Sequence, residues 1–171
     1  MTTTTTTAQP VFLINGGAEN GTLYGWTAIG SSPGIDNGTA NLGSTPPYNG
    51  SYDFYGGGGQ SLYQGVSLTS MFSTAQLDSG SLYASYSFWQ RSANQTPPDT
   101  AQVTLVFRSS TNTVLSNSTT GPSACILVWC FINGNLSLPV GTRSIDYVMK
   151  FVANYGGYPD AWIDDNILNV H

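Results

Sequence analysis

Between residues 81 and 91 two different faces are written into alternate positions. Leu82, Ala84, Tyr86 and Phe88 form one set, and Tyr83, Ser85, Ser87 and Trp89 form the other. Only an extended chain, whose side chains point to opposite sides in turn, keeps such sets apart. The pattern recurs where Val103, Leu105 and Phe107 oppose Thr104, Val106 and Arg108. It recurs again where Ile145, Tyr147, Met149 and Phe151 oppose Asp146, Val148 and Lys150. Runs with β character lie at 9–14, 22–28, 51–56, 60–69, 81–91, 101–109, 112–116, 124–132, 143–154 and 161–170, with turn-forming Gly, Pro, Ser and Asn between them. Antiparallel strands with one solvated face read this way. This number of strands at this spacing predicts an all-β antiparallel β-sandwich, most simply a jelly roll. Residues 70–78 read as one short helical turn.

The 171 residues suit one domain, taken as 11–171, preceded by an extended Thr-rich tail at 1–10. Charged residues make up 8% of the chain, against the usual share of about 25%. The four cations are scattered as Arg91, Arg108, Arg143 and Lys150, so the chain lacks the basic footprint that nucleic acid or anionic lipid requires. No apolar run approaches the roughly 20 residues of a membrane helix. Sequons at Asn20, Asn37, Asn49, Asn94, Asn117 and Asn135 lie beside turn formers and make these residues N-glycosylation candidates. They point to an extracellular or cell-surface glycoprotein.

Cys125 and Cys130 share the run Ala-Cys-Ile-Leu-Val-Trp-Cys-Phe-Ile. As one strand, five steps of about 3.3 Å hold them too far apart to bond, which favours two buried thiols. A disulfide there needs a sharp bend or bulge.

Thr2, Thr3, Thr4, Thr5, Thr6 and Thr7 favour strand conformation. Such a tail can add as a strand to a neighbouring copy of the chain, giving a homopolymer. Pro10, which cannot donate a ladder hydrogen bond, would end that pairing where the tail meets the domain.

Three segments in order carry a resemblance. They are Ile14-Asn15-Gly16-Gly17-Ala18-Glu19-Asn20-Gly21 with Gly25-Trp26, then Gly50-Ser51-Tyr52 with Leu62-Tyr63-Gln64 and Tyr83 to Trp89, then Ala161-Trp162-Ile163-Asp164-Asp165-Asn166-Ile167. Together they resemble the galactose-binding-like jelly rolls, in particular carbohydrate-binding modules of families 4 and 22. The resemblance implies a structural calcium ion held by Glu19 and by Asp164 or Asp165, a cofactor whose preference for oxygen ligands suits these residues. It also implies a core role for Trp26 and stacking of sugar rings on exposed aromatics, for which Tyr63, Tyr83, Trp89 and Trp129 are the candidates. Trp162 and Tyr158 sit near a chain turn. No catalytic residue stands out: the one histidine, His171, is terminal, and the acids nearest one another are those assigned to calcium. The tail favours an extracellular structural subunit of a filament, and the resemblance favours the alternative, a glycan-binding module.

Overall fold

The computed structural model describes residues 12–31, 33–39, 46–58 and 60–171. Among the described residues the elements are β1 (Thr27–Ile29), β2 (Gly34–Asp36), β3 (Asp53–Tyr55), β4 (Ser61–Ser67), α1 (Thr74–Leu77), β5 (Tyr83–Ser92), β6 (Thr100–Arg108), β7 (Val114–Thr119), β8 (Cys130–Ser137), β9 (Ser144–Val152) and β10 (Ala161–Val170). The strands form two antiparallel sheets, ordered β1-β4-β9-β6-β7 and β2-β3-β10-β5-β8. This is the jelly roll that the alternation predicts, and the one helix among the described residues falls within the expected turn at 70–78.

Alternation builds the layers. In β6, Ala101, Val103, Leu105 and Phe107 are buried while the residues between them are half-exposed. In β9, Ile145, Tyr147, Met149 and Phe151 do the same, with Leu105 opposite Tyr147 and Phe107 opposite Ile145. The second sheet brings Phe54, Ala84, Phe88, Ile163, Leu168 and Val170 against them. Each large apolar side chain buried in this way contributes about 1.5–3 kcal/mol. Trp26 belongs to this core: it meets Phe54 and Tyr147 edge-on at 5.2 and 6.0 Å. Its indole N–H donates to the Asn15 carbonyl at 3.2 Å.

The β10 run matches the sequence reading, whereas others shift. The expected strand at 9–14 does not form over residues 12–14, its described part. There the Phe12 N–H donates to the Leu168 carbonyl, and Ile14 exchanges two hydrogen bonds with the Gln64 amide, at 2.6 and 2.9 Å. The run at 22–28 shortens and shifts to β1 at 27–29, the run at 112–116 moves on to β7, and β2 was not expected.

The largest correction concerns 124–132. The strand begins only at Cys130, and Cys125 and Cys130 form a disulfide with Cα atoms 6.0 Å apart. Leu127 adopts a left-handed φ of 59°, which folds the run back on itself. The fold is held by Ser92, whose N–H donates to the Cys125 carbonyl and whose carbonyl accepts from the Leu127 N–H. The reading as two buried free thiols is therefore wrong, because it took the run as straight. Replacing both cysteines by serine is expected to cost about 2 kcal/mol of unfolding free energy, the value for closing so short a loop. Equilibrium urea unfolding measures it, and thiol titration of the unreduced, denatured chain should find no free thiol.

Candidate functional site

The outer face of the first sheet carries a groove of about 320 Å³ lined by Ile29, Tyr63, Val106, Arg108, Asn112, Asp146 and Val148. Tyr63 stands on β4 between Thr27 of β1 and Val148 of β9. Beside it, Gly65 pairs with Asp146, whose Oδ1 would lie 3.5 Å from a methyl group added to that glycine. Asp146 accepts from Arg108 Nε at 2.6 Å, and Arg108 Nη1 donates to the Asn112 carbonyl at 3.1 Å. Both charged side chains stay partly open, at 27% and 18% exposure. An aromatic ring, a locked guanidinium and a carboxylate in one trough suit a flat, hydroxyl-rich ligand. Arg108 and Asp146 were not among the expected site residues. Their outward positions in the period-two pattern were the available signal.

The structure does not bring the other expected platforms to Tyr63. Tyr83, Trp89 and Trp129 belong to the second sheet and its flanking loop. On its outer face Trp89 is covered by Tyr48, whose ring stacks on it at 3.7 Å and 14°. Phe131 leans against it from β8 at 5.1 Å. Trp129 meets the same Tyr48 edge-on and donates its N–H to the Pro46 carbonyl. Trp89 and Trp129 therefore anchor the loop before β3. Tyr83 lies at the far end of β5, opposite Ser137, and stacks on His171.

Glu19, Asp164 and Asp165 do gather at one place. A β-bulge interrupts the pairing of β10 with β5 between Asp164 and Ile167, and Asp165 takes a φ of 48°. The bulge turns this stretch toward the loop at 14–19, where the Asn166 N–H and side-chain amide both donate to the Gly16 carbonyl. A methyl group added to Gly17 would sit 3.2 Å from Asp165 Oδ1, 3.6 Å from Asp164 Oδ1 and 3.7 Å from Glu19 Cγ. Glu19 accepts the Ser51 and Tyr52 N–H groups, and Asp164 accepts those of Asn49 and Asp165. Burial, with Asp165 and Glu19 nearby, pushes the Asp164 carboxyl up to about 7. The donor chemistry suits a hard cation such as calcium. Among the described residues, however, no three Asp, Glu, His or Cys side chains already form a metal cage.

A second group of acids lies on the second sheet, where Asp53 of β3 pairs with Asp36 of β2. Asp53 is buried with neither carboxylate oxygen hydrogen-bonded, and the nearby Arg91, also buried, has an unpaired Nε. Arg91 sits over the Trp162 ring at 5.1 Å, and Trp162 donates its N–H to Asp36.

All six sequon asparagines are exposed, although Asn117 and Asn135 lie on strands rather than in turns. The tail, including Thr2 to Thr7, lies outside the described residues. Among the described residues no helix is long and apolar enough to cross a membrane.

No protein-family model matches the chain, and no curated protein matches it in sequence. Solved structures match it in shape. The CBM22-1 xylan-binding domain of Xyn10C from Paenibacillus barcinonensis superposes with a TM-score of 0.60 at 15% identity, covering 95% of this chain and 96% of that one. A family 16 carbohydrate-binding module gives 0.63 at 18% identity, with 92% and 98% covered. The enzymatically active domain of tailspike protein 4 from bacteriophage CBA120 gives 0.64 at 13% identity; 94% of this chain is covered, but the chain spans only 21% of that one. At such identities the fold is what is shared, and the fold of this chain is the jelly roll of carbohydrate-binding modules.

Proposed function

We propose that this chain is a non-catalytic, extracellular carbohydrate-binding module that takes a glycan chain along the groove of the first sheet. The observation that carries the reading is the trough in which Tyr63 lies beside the Arg108–Asp146 pair, with Val106 and Val148 of the strands that carry them also lining it. A pyranose ring stacks its C–H face on the tyrosine, and its hydroxyls bond to the guanidinium and the carboxylate. Arg108 is already held in place by two partners, so binding need not order it. The shape matches support the reading, since they include modules described as binding xylan and β-1,4-galactotriose. The filament role expected from the tail rests on residues outside the described part and gains no support from these matches.

The test is affinity electrophoresis and calorimetry against xylan, β-glucan, galactan and chitin. The expected result is binding to at least one. Tyr63→Ala should weaken it by about tenfold or more, equivalent to about 1.4 kcal/mol, without moving the melting temperature. A wild-type chain that binds none of them, or a Tyr63→Ala variant that binds equally well, rejects the reading.

The same proposal gives Glu19, Asp164 and Asp165 to a structural calcium ion. Bound there, the ion would supply the positive charge that these carboxylates lack and tie the 14–19 loop to β10. A ligand that binds only the folded state raises stability by mass action. Calcium should therefore raise the melting temperature of chelator-treated protein, and Asp164→Asn should abolish that rise. A melting temperature indifferent to both chelator and calcium removes the ion from the proposal.

A further inference from the structure

We infer that a second pocket, formed where the glycine-rich loops at 56–58 and 156–157 meet, is a separate binding site for one neutral pyranose residue. The pocket holds about 470 Å³ and shares no lining residue with the groove. That volume lies within the range of about 300–1,000 Å³ typical of small-ligand sites. The proposal rests on this pocket's own lining, not on the groove.

The walls are aromatic. Tyr155 and Tyr158 are 58% and 66% exposed, which gives two rings free to stack. Tyr55 is fixed by stacking on Trp162 at 5.1 Å, and its hydroxyl donates to Asp160 Oδ1 at 2.7 Å. The polar groups converge. Asp160 lines the pocket, and so does Gln95, whose Nε2 is buried without a hydrogen-bond partner. A buried amide donor left unpaired is unfavourable, and a ligand oxygen would satisfy it. Part of the lining is bare backbone: a methyl group added to Gly156 or Gly157, both exposed, would meet no atom within 4 Å.

The pocket is also built rather than loose. Asp99, fully buried, accepts the N–H groups of Asn154, Tyr155 and Asp160, so one carboxylate clamps both ends of the 154–160 loop. On the other side the Gly56 and Gly57 N–H groups donate to the Ala161 and Pro159 carbonyls. Ring faces, a carboxylate acceptor and an amide donor beside bare glycine backbone are the groups that recognise a sugar's C–H face and hydroxyls. The lining contains one acid and no base, so an anionic sugar is disfavoured.

The test is a titration of the full chain with methyl β-galactopyranoside, methyl β-glucopyranoside, methyl β-xylopyranoside and methyl α-mannopyranoside. Backbone and side-chain amide NMR shifts are the readout. Saturable shifts are expected at the Gln95 side-chain amide and at the Tyr155–Gly157 amides for at least one glycoside. They should persist in Tyr63→Ala, which disables only the groove. They should weaken by about tenfold or more in Tyr155→Ala/Tyr158→Ala and in Gly157→Val, which strip or fill the pocket. Glucuronic acid should bind at least tenfold more weakly than the best neutral glycoside. Absence of saturable shifts at these amides overturns the site, as do shifts that survive both pocket variants. Equal binding of glucuronic acid overturns the choice of a neutral sugar.

Discussion

Replacing Asp99 by alanine is expected to destabilise the chain by about 4 kcal/mol, more than a typical core truncation of one methylene or two. The carboxylate is fully buried and accepts three main-chain N–H groups, at 2.6, 3.0 and 2.7 Å. Hydrogen bonds to a charged group contribute about 1.5–3 kcal/mol each, and donors left buried without partners add their own cost. These terms are not additive, because the loop would rearrange to hydrate part of what is lost. An asparagine at this position would retain an acceptor oxygen but bring a donor amide among donors, so Asp99→Asn should fall between wild type and alanine. Urea unfolding measures both. A loss below about 1 kcal/mol for alanine would mean that the clamp is dispensable.

Asp53→Asn is expected to do the reverse and stabilise the chain, but only above acidic pH. Burial, helped by the nearby charges of Asp36 and Asp164 and opposed by Arg91, pushes the Asp53 carboxyl from 3.8 up to about 9. Below about pH 4 the folded and unfolded chains both hold this proton, and the group has no effect on stability. Between about 4 and 9 the folded chain keeps a proton that the unfolded chain releases, so stability falls as pH rises. Above about 9 the loss levels off. An asparagine is isosteric with the protonated acid and removes that dependence. The variant should match wild type near pH 4 and exceed it at pH 8 by on the order of 2 kcal/mol, less than the full shift implies because Arg91 can move toward the charge. Equal stability at both pH values, or a variant weaker at pH 8, would contradict this reading of the buried carboxyl.

The layers were legible because parity is local. Each of β6 and β9 declares its own inward and outward residues, and the structure keeps both assignments. What parity does not state is which strands are neighbours. Arg108 and Asp146 stood outward in their separate runs, but their meeting across 38 residues depends on β9 lying beside β6. Trp89 was legible as outward but not as covered, since its cover, Tyr48, arrives from the loop before β3. The thiol reading failed on one residue, because a single left-handed turn at Leu127 cannot be seen in a run of apolar side chains. The end pocket was nearly invisible. Nothing in the chain marks Asp99, among eight aspartates, as the one whose oxygens are spent on main-chain amides.

The bulge in β10 has an arithmetic consequence. Before it the odd-numbered residues Ala161 and Ile163 point into the core; after it the even-numbered Asn166, Leu168 and Val170 are the buried ones. An uninterrupted strand of the same ten residues would turn Ile167 and Asn169 inward and expel Leu168 and Val170. Deleting Asp165 alone would instead restore regular counting with every core residue still facing the core. The sandwich thus needs only nine of the ten positions. The spare residue aims the Asp164–Asn166 stretch at the opening loop, so an insertion that the core does not require has become the means of tying together chain segments 150 residues apart.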